Sequence, residues 1–299
     1  MVILGWRIQC ETCSFVGRNA ASIGNAEEKL REIALNHAID TPLLLGETDV
    51  PPVREYNDSG RSPFLLTCDH YGRLIPRALG DLGLPESELV RHIAWDIGIA
   101  GVAEMLSKHL DAHLIVQRYS RLVIDCNRPP HVASSIPLIS EATTVPGNEG
   151  IAREQAAARR AQIFDPYHQR IDAIIDARRH NNMPTILVSL HSFTPVYAGI
   201  ARPWHIGTLY QRDKVLPTLL LGALRAEPDL VVGDNEPYAV SDQTDYTIPV
   251  HAEARGLMNS GIEIRQDLIS DQAGERSWAD RLARILAEIE ATLRKQKVI

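Results

Sequence analysis

The sequence lacks any hydrophobic run long enough to cross a bilayer, because no apolar stretch approaches the ~20 residues that a spanning helix requires. Its first residues carry no basic segment ahead of an apolar one and do not resemble a signal peptide. Only four cysteines occur in 299 residues, which favours a reducing compartment over a disulfide-stabilised fold. These absences predict a cytoplasmic protein with no membrane partner.

Basic charge is also scarce: the formal net charge of −7 at pH 7 argues against nucleic acid as the main partner. There is no P-loop, no GxGxxG segment after a strand and no GxSxG elbow, so nucleotide hydrolysis, dinucleotide chemistry and serine hydrolysis are disfavoured. A small-molecule substrate remains, and a few buried arginines could still bind an anionic one. The oligomeric state is left open, including a homo-oligomer.

Residues 1–51 are predicted to form a peripheral N-terminal extension that is rich in turn formers towards its end. The extension contains Cys10 and Cys13 as a lone CxxC. A zinc knuckle would need a second pair nearby, but Cys68 and Cys126 lie within apolar runs. Incidental or core cysteines are therefore the favoured interpretation.

Residues 52–299 are predicted to form a single α/β domain, because short apolar runs alternate with stretches of helical periodicity. The fold class is a mixed, largely parallel sheet flanked by helices. The predicted strands are 64–68, 113–117, 121–126, 185–190, 229–233 and 262–266. The predicted helices are 86–110, 150–163, 166–179, 213–226 and 277–295.

Polar or ionisable residues follow several of these strands, where open α/β sheets place their sites. His70 comes directly after FLLTCD, and His191 follows TILVSL. Two imidazoles presented from strand ends could bind a catalytic zinc, which takes three protein ligands and leaves one position for water. From spacing alone, two hydrogen-bonded histidines near the core are the favoured interpretation, because no tight paired spacing such as HExxH is present.

Further charged residues accompany two of the apolar runs. Arg121, Asp125 and Arg128 bracket the run RLVIDC, where they could recognise a carboxylate or form a structural ion-pair network. Glu263 lies among apolar neighbours in GIEIRQ, and a buried carboxylate needs a metal, an arginine or a catalytic task. Arg265, two residues on, offers a simple ion pair as the alternative.

The remaining clusters lie in predicted loops, the usual setting for binding residues. They are RPWHIG with Arg202 and His205, GDNEPY with Asn235, and the segment around His251. Taken individually, each such cluster is more often an ordinary turn than a site.

The motifs taken in order resemble the N-formylglutamate amidohydrolase family over about residues 52 to 290. They are CDHYGRLIP, RHIAWDIG, YSRLVIDCNRP, PYHQRI, LHSFTP, RPWHIG, GDNEPY and IEIRQDL. The resemblance implies a phosphorylase/hydrolase-like core, similar to that of the zinc carboxypeptidases and aspartoacylases, with one Zn²⁺. It also implies a zinc-dependent hydrolase that releases formate from an N-formyl acidic amino acid such as N-formyl-L-glutamate.

The same resemblance implies roles for individual residues. His70 and His191 match metal ligands, and Glu263 matches the general base. Asn127 and Arg128 match the pair that grips a substrate carboxylate, with Arg121 as a second cation for the carboxylate or the oxyanion. Further substrate contacts fall on Arg202, His205, Asn235 and His251.

One departure concerns the third metal ligand. Zinc carboxypeptidases use HxxE, but Arg73 stands three residues after His70 and cannot bind a metal. The resemblance favours Asp96 in AWDIG instead, with Asp69 and Asp125 as the alternatives. Two other functions remain open, namely a metallo-carboxypeptidase or deacylase for a different N-acyl amino acid, and a ligand-binding homologue without catalysis.

Overall fold

The computed structural model describes residues 43–299. Most of the predicted extension, including Cys10 and Cys13, therefore lies outside the described residues, and its interpretation stays a prediction. No helix among the described residues is long and apolar enough to cross a membrane.

Seven strands form one mixed sheet in the order β1-β3-β2-β6-β11-β9-β10, which confirms the predicted fold class. The four strands β3, β2, β6 and β11 are mutually parallel, whereas β1 runs antiparallel to β3 and β9 runs antiparallel to β11. The strands are β1 (Val53–Tyr56), β2 (Phe64–Cys68), β3 (His113–Gln117), β4 (Ile139–Ser140), β5 (Thr143–Thr144), β6 (Ile186–Phe193), β7 (Val196–Tyr197), β8 (Ile200–Ala201), β9 (Ile206–Leu209), β10 (Val232–Asp234) and β11 (Met258–Arg265). Two small hairpins, β4-β5 and β7-β8, stand apart from this sheet.

Residues 43–299 contain six α-helices. They are α1 (Glu86–Leu89), α2 (Ile99–Leu110), α3 (Arg153–Arg159), α4 (Asp165–His180), α5 (Val215–Arg225) and α6 (Gln272–Lys295). Two π-helical turns, Arg160–Phe164 and Ile248–Ala252, complete the helical segments near the site. Helix α6 is amphipathic and buries side chains from Trp278 to Leu293 at helical spacing.

Side chains of the central strands alternate between two cores because successive residues of a strand face opposite sides. Leu66, Val188 and Ile262 pack with α2, α5 and α6 on one face. Leu65 and Leu187 pack with α4 and the buried 119–126 segment on the other. The carboxyl ends of β2, β6 and β11 meet at one edge of the sheet, and the candidate site lies there.

Two predicted elements are wrong in detail. Residues 121–126 form no strand, although 122–126 are buried: Ser120 Oγ accepts the Leu122 amide, and the Asp125 carboxylate accepts the Asn127 amide. Such local bonds offer the backbone an alternative to a sheet ladder. The predicted helix 86–110 is two helices, α1 and α2, and Gly98 between them has a left-handed φ of 79°.

The last helix begins earlier than predicted. It starts at Gln272 rather than Ser277, because the Asp271 side chain caps it by accepting the Gly274 amide at 2.8 Å. The predicted bounds of β2 and β3 are confirmed residue for residue. Strands β1 and β9 of the sheet and the four short hairpin strands were not predicted.

Candidate metal centre

His70 lies just beyond the end of β2 and is almost fully buried. Its Nε2 is 2.7 Å from Asp125 Oδ1, and its Nδ1 is 3.5 Å from Asp96 Oδ2. The bond to Asp125 requires the proton on Nε2, because a carboxylate can only accept. The Nδ1 lone pair of a neutral His70 ring therefore faces Asp96.

His191 belongs to β6 and has a similar arrangement. Its Nδ1 is 3.0 Å from Asp96 Oδ2, while its Nε2 is 3.0 Å from Ser189 Oγ and 3.4 Å from Asp69 Oδ2. The rings of His70 and His191 have centroids 5.0 Å apart. Each imidazole therefore turns one nitrogen towards Asp96 and the other towards a separate aspartate.

His70, Asp96 and His191 each offer a ligand atom, and these atoms lie within 4.8 Å of one another. The cluster fits a divalent cation on two grounds. Nδ1 of His70 is buried and has no hydrogen-bond partner. In addition, imidazoles that bind a metal commonly donate their other N–H to a carboxylate, which is the position of Asp125 beside His70. The geometry thus places Asp96 among the ligand atoms and Asp125 behind them.

The charges of the cluster also favour a bound cation. Asp69, Asp96, Asp125 and Glu263 are all buried, while Arg121 is the arginine that pairs with two of them. Buried carboxylates need compensating positive charge. A divalent cation would supply it without further residues.

In the protein alone, burial opposes protonation, but the neighbouring aspartates raise the pKa of both imidazoles, which favours their protonated forms. Burial would lower the pKa of His191, but hydrogen bonds with Asp69 and Asp96 raise it well above its ordinary value. Burial would likewise raise the pKa of Asp96, but the charges of His70 and His191 and their hydrogen bonds hold it far below its usual range. Metal binding would have to displace these protons.

Each of the three side-chain nitrogens of Arg121 contacts an aspartate of the cluster. Its Nε and Nη2 donate to Asp125 Oδ2 at 3.1 and 2.8 Å, and its Nη1 is 3.4 Å from Asp96 Oδ1. Burial would lower its pKa, but Asp125 and Asp96 raise it, so the guanidinium stays charged. Arg121 thus holds Asp125 and Asp96 in place through hydrogen bonds and charge.

Glu263 lies on β11 directly opposite His191 of β6 in the parallel register. It is 7% exposed, and its Oε2 has no hydrogen-bond partner. Burial raises the pKa of its carboxyl to about 7. Arg265 pairs with Asp267 at 2.8 Å, so the ion pair with Glu263 is not formed. A carboxyl with this pKa is suited to exchanging protons near neutral pH.

These residues open into a cavity of about 420 Å³. The predicted residues that line it are His70, Asp96, Arg121, Asn127, Arg128, His191 and Glu263. The Asn127 amide already joins two segments: its Oδ1 accepts the backbone amides of Tyr246 and Thr247, and its Nδ2 donates to Asp245. Arg128 donates Nη1 to the Thr244 carbonyl, and its side chain is 29% exposed.

Four predicted substrate contacts do not line the cavity. Arg202 stands behind two of its tyrosines. His205 Nδ1 accepts the Val231 amide, and Asn235 Oδ1 accepts the Tyr210 amide in a turn. His251 is fully buried between His168 and Asp172. The last three therefore have structural partners of their own.

The sequence reasoning missed several residues of the cavity wall, among them His92, Glu141 and Tyr238. Tyr238 is the last residue of GDNEPY, whose aromatic ring was a usable signal. Glu141 lies at the tip of the β4-β5 hairpin, where no sequence pattern marks a site.

Comparison with known proteins decides the family. A family model described as N-formylglutamate amidohydrolase matches residues 62–270. The chain belongs to the N-formylglutamate amidohydrolase family. It is accordingly a hydrolase of carbon–nitrogen bonds in linear amides other than peptide bonds.

Individual relatives agree with this placement. An N-formylglutamate deformylase of Pseudomonas putida is 26% identical over 208 residues, which are 66% of this chain and 73% of the relative. The crystal structure of an Agrobacterium tumefaciens gene product has 35% identity and a TM-score of 0.81, covering 84% of this amidohydrolase and 99% of that chain. An N-formylglutamate amidohydrolase from Ralstonia eutropha shares the fold, with a TM-score of 0.60 at 17% identity over 83% of this chain and 100% of its own.

Proposed function

We propose that this amidohydrolase cleaves the N-formyl amide of an acidic amino acid, with N-formyl-L-glutamate as the first candidate. The main support for this proposal is the buried cluster of His70, Asp96 and His191, which lines one cavity together with Glu263. The family and the named relatives support the choice of substrate. Water and the amide give formate and the free amine.

His70, Asp96 and His191 would hold the metal, and two imidazoles with one carboxylate suit Zn²⁺. When bound, the ion supplies Lewis-acid polarisation of the acyl carbonyl and makes water more acidic. Asp125 orients the His70 ring through its 2.7 Å bond. Ser189 and Asp69 do the same for His191.

Glu263 serves as the general base. Its carboxylate takes a proton from the attacking water as the carbon–oxygen bond forms, and returns it to the nitrogen as the carbon–nitrogen bond breaks. Its position opposite His191 on the neighbouring strand keeps it next to the metal ligands. Burial holds its pKa near the pH at which proton transfer in both directions is efficient.

Arg128 holds the α-carboxylate of the substrate. Its Nη1 is fixed by the Thr244 carbonyl, which leaves the other N–H groups of the fork for a carboxylate at the cavity wall. Arg121 acts instead as a positioning residue, because its three N–H contacts already go to Asp125 and Asp96. Asn127 positions the segment that carries Arg128.

Metal analysis of the purified protein, combined with a formate-release assay, tests this function. We expect about one zinc per chain and formate release from N-formyl-L-glutamate that a chelator abolishes and Zn²⁺ restores. N-acetyl-L-glutamate and a dipeptide serve as substrates that report deacylase or carboxypeptidase activity. A His191→Ala variant that keeps full zinc content and activity would overturn the metal assignment, and faster cleavage of either comparison substrate would overturn the formyl assignment.

A further inference from the structure

Arg202 lies beside the cavity in an aromatic cage. Its guanidinium carbon is 4.7 Å from the ring centroid of Tyr197, 4.8 Å from that of Tyr238 and 5.8 Å from that of Phe193. Rings at such distances hold a cation through their π faces. The Arg202 amide also donates to the Pro195 carbonyl at 2.8 Å, which fixes the backbone. Tyr197 and Tyr238 themselves line the cavity.

The charge of Arg202 has no ionic partner in residues 43–299, and its Nη1 is buried without a hydrogen-bond acceptor. The two arginines that line the cavity are paired: Arg121 with Asp96 and Asp125, and Arg128 with Asp245 at 3.9 Å. A buried charged N–H without an acceptor is costly. Such a cost is offset when the acceptor arrives with a ligand.

The cage connects Arg202 to the reaction centre. Phe193 is two residues beyond His191, so both side chains lie on the same face of β6. Burial and the charge of Glu263 raise the pKa of Tyr238, while the charge of Arg202 opposes them. Tyr238 lines the same cavity as Glu263, and its ring centroid is 4.8 Å from the Arg202 guanidinium carbon. Arg202 therefore stands directly behind the part of the cavity wall that Tyr238 forms.

We propose that Arg202 forms a second anion subsite that binds the side-chain carboxylate of the acyl amino acid. The planar guanidinium matches a carboxylate in a two-bond geometry, and the cage rings pack against the methylene groups that lead to it. Arg128 takes the α-carboxylate, so the two arginines together select dicarboxylic substrates. This inference rests on the proposed function and adds the residue that sets its substrate class.

The test compares N-formyl-L-glutamate with N-formyl-L-glutamine, which has nearly the same shape but no side-chain charge. Arg202→Met should lower kcat/KM for the glutamate substrate by about 10- to 100-fold, mainly through KM, and leave the glutamine substrate nearly unchanged. Arg202→Lys should fall in between, because it keeps the charge but loses the fork. Arg225→Met, which removes an exposed arginine paired with Asp234, is the matched control and should behave as wild type.

If Arg202→Met and Arg202→Lys lower kcat/KM equally for both substrates, Arg202 has a structural role and the subsite is wrong. If neither variant lowers kcat/KM for either substrate, the subsite is also wrong. Binding of the products is measured separately by calorimetry. Wild type should bind L-glutamate more tightly than L-glutamine, and Arg202→Met should bind them alike. If wild type binds them equally but releases formate, the subsite is wrong and the proposed function stands. If it releases formate from neither substrate yet prefers L-glutamate, the function is wrong and the subsite stands.

Discussion

Replacing Asp125 with asparagine tests whether the metal ligands are oriented by the groups behind them. Oδ1 of Asp125 accepts from His70 Nε2 and the Asn127 amide, and Oδ2 accepts from two nitrogens of Arg121. Asparagine can present only one oxygen, so its NH₂ group must face donors whichever way it turns. No orientation satisfies all four contacts.

Two magnitudes follow for Asp125→Asn. Loss of an outer partner of a metal-binding imidazole weakens metal affinity by about 10- to 100-fold, or about 1.4–2.8 kcal/mol. Breaking a buried ion pair costs about 3–5 kcal/mol, but the Arg121 side chain is 24% exposed and keeps its contact with Asp96. We therefore expect a loss of only about 1–3 kcal/mol in the free energy of unfolding.

Zinc affinity is measured by competition with a chromophoric chelator, and stability by urea unfolding of metal-free protein. Asp176→Asn, which removes an exposed partner of Arg255, is the matched control and should leave affinity unchanged. Wild-type affinity in Asp125→Asn, alongside lost affinity in His70→Ala, would show that the aspartate does not orient the ligand. Wild-type affinity in both variants would mean that the metal binds elsewhere.

Three further outcomes are expected. Glu263→Gln should keep its zinc and lose about 10²- to 10⁴-fold in kcat. Turnover by the wild type should decline as the pH falls through about 7, because the base takes up a proton there. If the variant shows the same pH profile as the wild type, Glu263 is not the base. Burial and the charge of His251 lower the pKa of His168 to about 3, against 6.5 for the free side chain, so the unfolded chain binds the proton first. Stability in urea should therefore fall as pH drops below 6.5, and less steeply in His168→Gln. Gly98→Ala should lower the free energy of unfolding by at least about 1–2 kcal/mol, because φ is positive there and a Cβ would lie 1.9 Å from the Ile269 carbonyl oxygen. The control is Gly222→Ala in α5, which has open space around it and should not destabilise the protein.

Burial explains which strands could be predicted from sequence. FLLTC and HLIVQ are central strands buried on both faces, so their apolar runs end where the strands end. RLVIDC also contains an apolar run, and its residues 122–126 are buried, but it is an irregular segment. Periodicity cannot separate the two cases, because the difference lies in local bonds from Ser120 and Asp125.

Residues of the site could be predicted from the sequence where they follow or end a strand. They could not be predicted where their position depends on contacts between distant segments. His70 and His191 follow or end apolar runs, and parallel strands bring such positions to one edge. The bond between His70 and Asp125 joins residues 55 positions apart, and the sequence left three aspartates as alternatives. Asn127 matched a substrate-binding motif, but its amide groups are occupied by the 245–247 segment.

The parallel register of β6 and β11 makes the distance between the proposed metal ligand His191 and the proposed base Glu263 a property of the sheet. Adjacent strands lie about 4.8 Å apart in any β-sheet, so the spacing of His191 and Glu263 does not depend on any loop. The hairpins and the 234–248 segment around the cavity can therefore diverge and accept new acyl amino acids while the reactive groups keep their separation. A one-residue slip between the two strands would instead send Glu263 to the opposite face. Substitutions are therefore tolerated more readily in the segments around the cavity than in strands β6 and β11.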